Sequence, residues 1–147
     1  RKFKEEISNH NDIIIEEFIS GKELTVSTIN FENKIEALAV TEIQTKNIFF
    51  DYRAKYSKGY ANHFLPAKIN KQIYKNCLYL ALLSHRVLGC KSIARTDFIL
   101  NHKNNKIYFL ETNTQPGLTS VSLLPEQAKF RNISFERIVL GILKNTN

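Results

Sequence analysis

Apolar residues along this chain keep two different rhythms. Some stretches alternate with a period of two or run in short β-branched blocks, which predicts strands; others repeat every three to four residues, which predicts helices. Ile13-Ile14-Ile15 lies in an apolar run over 12–18 and predicts a strand. Residues 23–31 and 35–43 predict two more, joined by a turn at Glu32-Asn33. Asn70 reads as the cap of a helix reaching to about Leu88. Gly89 then ends it, and Ile69, Ile73, Cys77 and Leu80 form its inner face. Strands near 92–101 and 105–113 follow, linked by the polar, turn-prone Asn101 to Asn105 as a hairpin. Pro125 opens a short helix, and Ser134 caps the last one. That helix carries Phe135, Ile138, Val139, Ile142 and Leu143 as one apolar stripe. Residues 1–10 read as the end of a helix. Residues 44–66 show no sustained period and include Gly59 and Pro66. They predict a long loop, of the kind that often acts as a lid. Strands and helices in this order predict an α+β fold, with helices packed on one face of a largely antiparallel sheet.

Composition narrows the class. A chain of 147 residues that is 43% hydrophobic can build one domain around a real core. It has no apolar run near the roughly 20 residues that span a bilayer, so no membrane partner is expected. The net charge of +7 raises the question of nucleic acid. Lys and Arg are spread along the chain, however, and the aromatic residues sit inside apolar patterns. The closest basic grouping is Arg1, Lys2 and Lys4. No nucleic-acid partner is expected on this pattern, and a basic, non-catalytic binding module stands as the alternative class. A salt-dependent DNA titration separates the two. Cys77 and Cys90 lack zinc-type spacing. Cys77 falls in a helical pattern as a buried thiol, which fits a reducing cytoplasm.

The chemistry concentrates in the hairpin. Side chains alternate faces along a strand, so Arg95 and Asp97 share one face. By the same rule Ile107, Phe109, Glu111 and Asn113 share one face of the second strand. If the two faces coincide, Asp97, Glu111 and Asn113 gather their oxygens in one place. Two carboxylates so placed repel unless a cation lies between them, and a hard oxygen-liganded ion such as Mg²⁺ suits them. Arg95 would sit beside it as an anion clamp. The plainer alternatives are a salt bridge from Arg95 to Asp97 and a turn in which Asn113 caps its own backbone.

Four motifs in order carry a family resemblance across residues 12 to about 140. They are Glu16-Glu17-Phe18-Ile19-x-Gly21-x-Glu23-Leu24-Thr25-Val26, then Phe50-Asp51-Tyr52-x-Ala54-Lys55-Tyr56, then Leu88-Gly89-Cys90-Lys91. The fourth is Arg95-x-Asp97 with Glu111-Thr112-Asn113-Thr114-Gln115-Pro116-Gly117-Leu118-Thr119-Ser120-Val121-Ser122-Leu123-Leu124-Pro125. The set resembles the C-terminal part of the D-alanine–D-alanine ligases. Two positions depart from the family pattern: Val121 stands where a His is common, and Leu118 where Met is. Neither change removes a charge or a metal ligand.

The resemblance implies an ATP-grasp C-terminal lobe over residues 1–147. Family members are longer, with an N-terminal substrate domain and a domain bearing a phosphate loop. Neither is read in this chain, whose five glycines are scattered. The expectation is therefore a C-terminal portion that is a poor catalyst alone. The implied reaction joins two D-alanines through an acyl phosphate made from ATP, for peptidoglycan precursor synthesis in the cytoplasm. A homodimer is implied for the full-length protein. By resemblance, Asp97, Glu111 and Asn113 hold Mg²⁺ or Mn²⁺, with Glu111 bridging two ions. Arg95 and Gly117 steady the acyl phosphate and the oxyanion; Ser122 and the Leu123 amide take the carboxylate of the second D-alanine. Glu16, Glu17 and Ile19 form the adenine hinge, Glu23 receives the ribose hydroxyls, Lys55 reaches the phosphates and Tyr56 closes the lid. Simpler readings accompany these: Ser122 as a helix cap, Glu23 as an exposed strand residue, Lys55 as a solvated lysine, Phe18 and Ile99 as core. A different second substrate, such as a D-hydroxy acid, gives a further alternative.

Overall fold

A computed structural model describes residues 14–45 and 61–145. The expected helix over 1–10 lies outside the described residues, as do Lys55 and Tyr56. Among the described residues five strands form one antiparallel sheet: β1 (Gly21–Phe31), β2 (Lys34–Thr45), β3 (Ala61–Phe64), β4 (Ile93–Asn101) and β5 (Ile107–Asn113), in the order β3-β2-β1-β4-β5. Among the described residues three helices accompany it: α1 (Lys71–Val87), α2 (Leu123–Phe130) and α3 (Phe135–Lys144).

Local signals account for most boundaries. Glu32 and Asn33 both take positive φ, 51° and 67°, the geometry of a tight hairpin turn whose twist matches its strands. Asn70 accepts a hydrogen bond from the Gln72 amide at 2.8 Å and starts α1. At its other end the Gly89 amide donates to Arg86 O and the Cys90 amide to His85 O, with Gly89 at φ +64°. That pair of bonds is a Schellman closure, and only glycine takes its left-handed residue without strain. Ser134 caps α3 by accepting from the Arg137 amide.

The sheet is covered on both faces, not on one. Leu24, Val26, Val40, Phe98 and Leu100 pack with Cys77 and Ala81 of α1. On the opposite face Ile29, Leu38 and Ile93 pack with Leu124, Ala128 and Ile138 of α2 and α3. A bulge makes this division possible in β2. The register slips between Val26 and Thr28, so Leu38 and Val40, two residues apart, face opposite ways.

Three other expectations are corrected. Residues 14–18 are not a strand: 14–20 carry no regular structure, and Ile14, Ile15 and Phe18 are 86%, 81% and 68% exposed. A β-branched run becomes a strand only where another strand accepts its ladder, and among the described residues β1 begins at Gly21. Phe18 is thus not core. The expected loop over 44–66 is in part strand, since β2 runs on to Thr45 and Ala61–Phe64 pairs with it as the sheet edge. In the last stripe only Ile138 and the unremarked Gly141 are buried, while Phe135 and Leu143 are at least half exposed.

Candidate active site

The β4–β5 register places Asp97 directly opposite Glu111, and Arg95 opposite Asn113. Directly paired residues share a face, so all four side chains rise from the same side of the sheet. The face is the one covered further along by α2 and α3. Glu23 belongs to it as well, through its pairing with Ile99, two residues beyond Asp97. Ile99 itself is buried.

The simple alternation predicted for β5 does not hold. A register shift between Asp97 and Phe98 leaves Leu110 as an extra residue. Phe109 therefore follows Phe98 to the α1 side, where the two rings meet edge to face at 6.2 Å. Glu111 and Asn113 stay on the Asp97 side. Ile107, paired with Leu100, packs with the α1 core too. Ile107 and Phe109 thus do not share a face with Glu111 and Asn113.

Asp97 is held firmly. Arg95 Nε donates to its Oδ1 at 3.0 Å and Arg95 Nη2 to its Oδ2 at 2.8 Å, a bidentate fork. Both side chains are largely buried, at 14% and 17% exposure, so this is no loose surface pair. Thr25 Oγ1, fully buried, adds a 2.6 Å bond to Oδ1. Asn113 Oδ1 accepts from the Gln115 amide at 2.8 Å and shapes the turn leaving β5. Both plainer alternatives, the Arg95 pair and the Asn113 turn, are therefore present in the geometry, and neither exhausts the oxygens. Asp97 Oδ2 and Asn113 Oδ1 each keep a lone pair.

The donor set consists of two carboxylates and one amide oxygen, all hard oxygen ligands suited to Mg²⁺ or Mn²⁺. Among the described residues no three His, Cys, Asp or Glu side chains gather around one point. An Asp–Glu–Asn trio needs no third acidic group, and its third oxygen is neutral.

The segment after β5 carries the other expected residues. Pro116 is buried, and a Cβ on Gly117 would lie 2.7 Å from Ser122 Oγ, so Gly117 and Ser122 are close neighbours and a larger residue at 117 would displace the Ser122 hydroxyl. Ser122 stands at the N-cap of α2, but its side chain makes no cap bond. Its hydroxyl meets Thr119 Oγ1 at 2.8 Å and accepts from the Thr119 amide. Leu123 is buried in the first turn of α2. The hinge residues Glu16 and Glu17 are exposed and Ile19 is half-buried, in the irregular segment before β1. That segment is tied down where the His102 amide donates to Ser20 O. At Gly21 a Cβ would collide with Leu100 O and lie 2.6 Å from the Ile99 side chain, so the entry to β1 needs glycine.

Sequence reasoning missed Gln127 and the role of Thr25. Gln127 is fully buried on α2, its Oε1 accepting from the Ser27 amide at 2.8 Å. Its Nε2 donates to Thr25 O at 3.2 Å and to Thr41 Oγ1 at 2.9 Å. The available signal was Thr25's place two residues after Glu23, on the face that carries Asp97.

The antiparallel sheet, its two-sided helical cover and its carboxylate-bearing end define an α+β lobe of the ATP-grasp class. The chain belongs to the family whose model is described as D-ala D-ala ligase C-terminus, matched over residues 1–144. It is 44% identical over 133 residues to a D-alanine–D-alanine ligase of Caulobacter sp. (strain K31), covering 90% of this chain and 41% of that protein. It is 45% identical over 135 residues to the ligase of Wolbachia pipientis wMel, covering 91% and 42%. The chain thus spans about two fifths of the length of these relatives. Among solved structures, the VanG D-Ala:D-Ser ligase of Enterococcus faecalis superposes with a TM-score of 0.72 at 29% identity, covering 87% of this chain and 37% of that one. A Bacillus anthracis D-alanine–D-alanine ligase complexed with ATP superposes with 0.68 at 27% identity, covering 88% and 41%.

Proposed function

We propose that this chain is the nucleotide, metal and second-substrate side of an ATP-dependent ligase that joins two D-alanines through an acyl phosphate. The observation that carries this is the cross-strand pair Asp97–Glu111, flanked by Asn113 and Arg95 on one face, in a chain of this family. Asp97, Glu111 and Asn113 would hold Mg²⁺ or Mn²⁺, which when bound neutralises the phosphate charge of ATP. Arg95 supplies fixed positive charge beside the carboxylates and orients Asp97. Gly117, with no side chain, lets backbone amides approach a developing oxyanion. Ser122 Oγ and the Leu123 amide, at the positive end of α2, take the carboxylate of the second substrate. Glu16, Glu17 and Ile19 border the adenine and Glu23 the ribose hydroxyls. Lys55 and Tyr56 belong to the proposal through their motif alone, as lid residues over the phosphates.

The enzyme's place in peptidoglycan precursor synthesis, its cytoplasmic location and its homodimeric state are parts of the same reading. Among the described residues no helix is long and apolar enough to cross a membrane. Val121 stands in the segment between Gly117 and Ser122, and one superposable structure is a D-Ala:D-Ser ligase. The second substrate is therefore the point at which a close variant of the reaction competes.

The test is ADP release and product analysis on the full gene product with ATP, Mg²⁺ and D-alanine, against D-serine and D-lactate as second substrates. D-alanyl-D-alanine is the expected product. Asp97→Ala and Glu111→Ala are each expected to lower turnover by at least about 10²–10³-fold. Normal Mg²⁺-dependent turnover in either variant overturns the assignment.

A further inference from the structure

We infer that Thr25, itself locked in place by Gln127, is a positioning residue that turns the Asp97 carboxylate toward the divalent cation. The inference rests on the metal reading of this face given above.

Hydrogen-bond accounting on Asp97 is its basis. A carboxylate oxygen has two lone pairs. Oδ1 spends both, one on Thr25 Oγ1 and one on Arg95 Nε. Oδ2 spends one on Arg95 Nη2. A single acceptor position remains, on Oδ2, and three bonds from two directions prevent the group from rotating to offer another. Arg95 alone would leave the carboxylate able to roll about the fork, and the short Thr25 bond removes that freedom. Losing a partner of this kind, one bond behind a ligand, commonly weakens metal affinity by about 10–100-fold.

Thr25 is in turn fixed by something unusual for a sheet centre. The slip in the β1–β2 ladder at Val26/Thr28 leaves Ser27 out of that pairing. Gln127 enters from α2 at this point and takes the Ser27 amide, the Thr25 carbonyl and the Thr41 hydroxyl with one side-chain amide. Both of its N–H bonds are used, and it is fully buried. The same helix begins at Ser122 and Leu123. Gln127 therefore ties the proposed second-substrate end of α2 to the strand that aims Asp97, through the path Gln127–Thr25–Asp97.

A merely structural Thr25 would need only some partner for its buried hydroxyl; a positioning Thr25 changes the cation affinity. The experiment measures Mn²⁺ binding to the full gene product by electron paramagnetic resonance of the free ion, alongside the thermal midpoint. Thr25→Val keeps shape and removes the hydroxyl; Thr25→Ser restores it. The expected result is about tenfold weaker Mn²⁺ binding in Thr25→Val, with recovery to near the parent value in Thr25→Ser. The Mg²⁺ concentration for half-maximal turnover rises in parallel while KM for D-alanine stays put. If Thr25→Val does not fold, Thr25→Ala against Thr25→Ser makes the same comparison. Unchanged Mn²⁺ affinity in the hydroxyl-less variant overturns the inference and leaves the proposed function standing. No Mn²⁺ binding by the parent protein overturns both.

Discussion

The two faces of the sheet teach different things. The α1 face is apolar at its centre, where Leu24, Val26, Val40, Phe98 and Leu100 meet Cys77 and Ala81, and its polar groups are paired off at the margins as Lys22–Glu42 and Thr28–His85. The other face changes character along its length. It is apolar under Leu124, Ala128 and Ile138, neutral and polar around Gln127, Thr25 and Thr41, and charged at Arg95, Asp97, Glu111 and Glu23. Burying apolar area without polar atoms stabilises the fold most simply. Gathering carboxylates works against it, which is a common feature of sites arranged for chemistry. One face holds the lobe together, and the other is graded from adhesion to reactivity.

Breaking the apolar centre of the α1 face has the largest effect. Phe98→Ala is expected to lower unfolding free energy by about 3–5 kcal/mol, read by urea denaturation. Glu111→Ala, on the graded face, is expected to stay within about 0.5 kcal/mol of the parent. Equal losses in the two variants would erase the contrast.

A smaller effect belongs to the imidazole buried at the margin of the α1 face. His85 is fully buried, with Nδ1 2.8 Å from Thr28 Oγ1 and no partner at Nε2. The same hydroxyl lies 3.4 Å from Ala94 O. Burial pushes the His85 pKa below its ordinary 6.5; the Arg86 charge adds to this and the Cys90 backbone opposes it. The unfolded chain therefore takes up the proton first. Stability from this residue is complete above about pH 6.5 and is lost as pH falls from there through the folded-state value. The thermal midpoint should drop between pH 6.5 and 5 in the parent, and less steeply in His85→Gln. Parallel curves would remove His85 from the account.

The smallest effect sharpens the comparison at an edge of the same face. Gly89→Ala forces a Cβ into a left-handed residue with open space around it, so strain acts alone. A loss of about 1 kcal/mol is expected by denaturation, with turnover unchanged.

Much of this arrangement was legible in the residues because its causes are local. The Glu32-Asn33 turn, the Asn70 and Ser134 caps and the Gly89 stop each follow from one or two side chains. The shared face of Asp97, Glu111 and Asn113 follows from strand parity and the hairpin. What was not legible depends on partners distant in sequence. Ala61–Phe64 is too short to announce itself and is a strand only because β2 accepts it. Ile14 and Ile15 have strand-like side chains and no ladder among the described residues. Gln127 carries no signal in the sequence, because the three groups that surround its amide come from two distant strands. The motif that includes Thr25 drew attention to Glu23 and not to the hydroxyl two positions on.

The extra residue at Leu110 makes β5 two half-strands with opposite phase. The half before it is fixed by the fit of Phe109 against Phe98, and the half after it by the demands of Glu111 and Asn113. Taking that residue into the ladder would set Leu110 opposite Asp97 and Glu111 opposite Thr96, swinging Glu111 to the α1 side and taking one of the paired carboxylates away from Asp97 with every side chain of the trio still in the sequence.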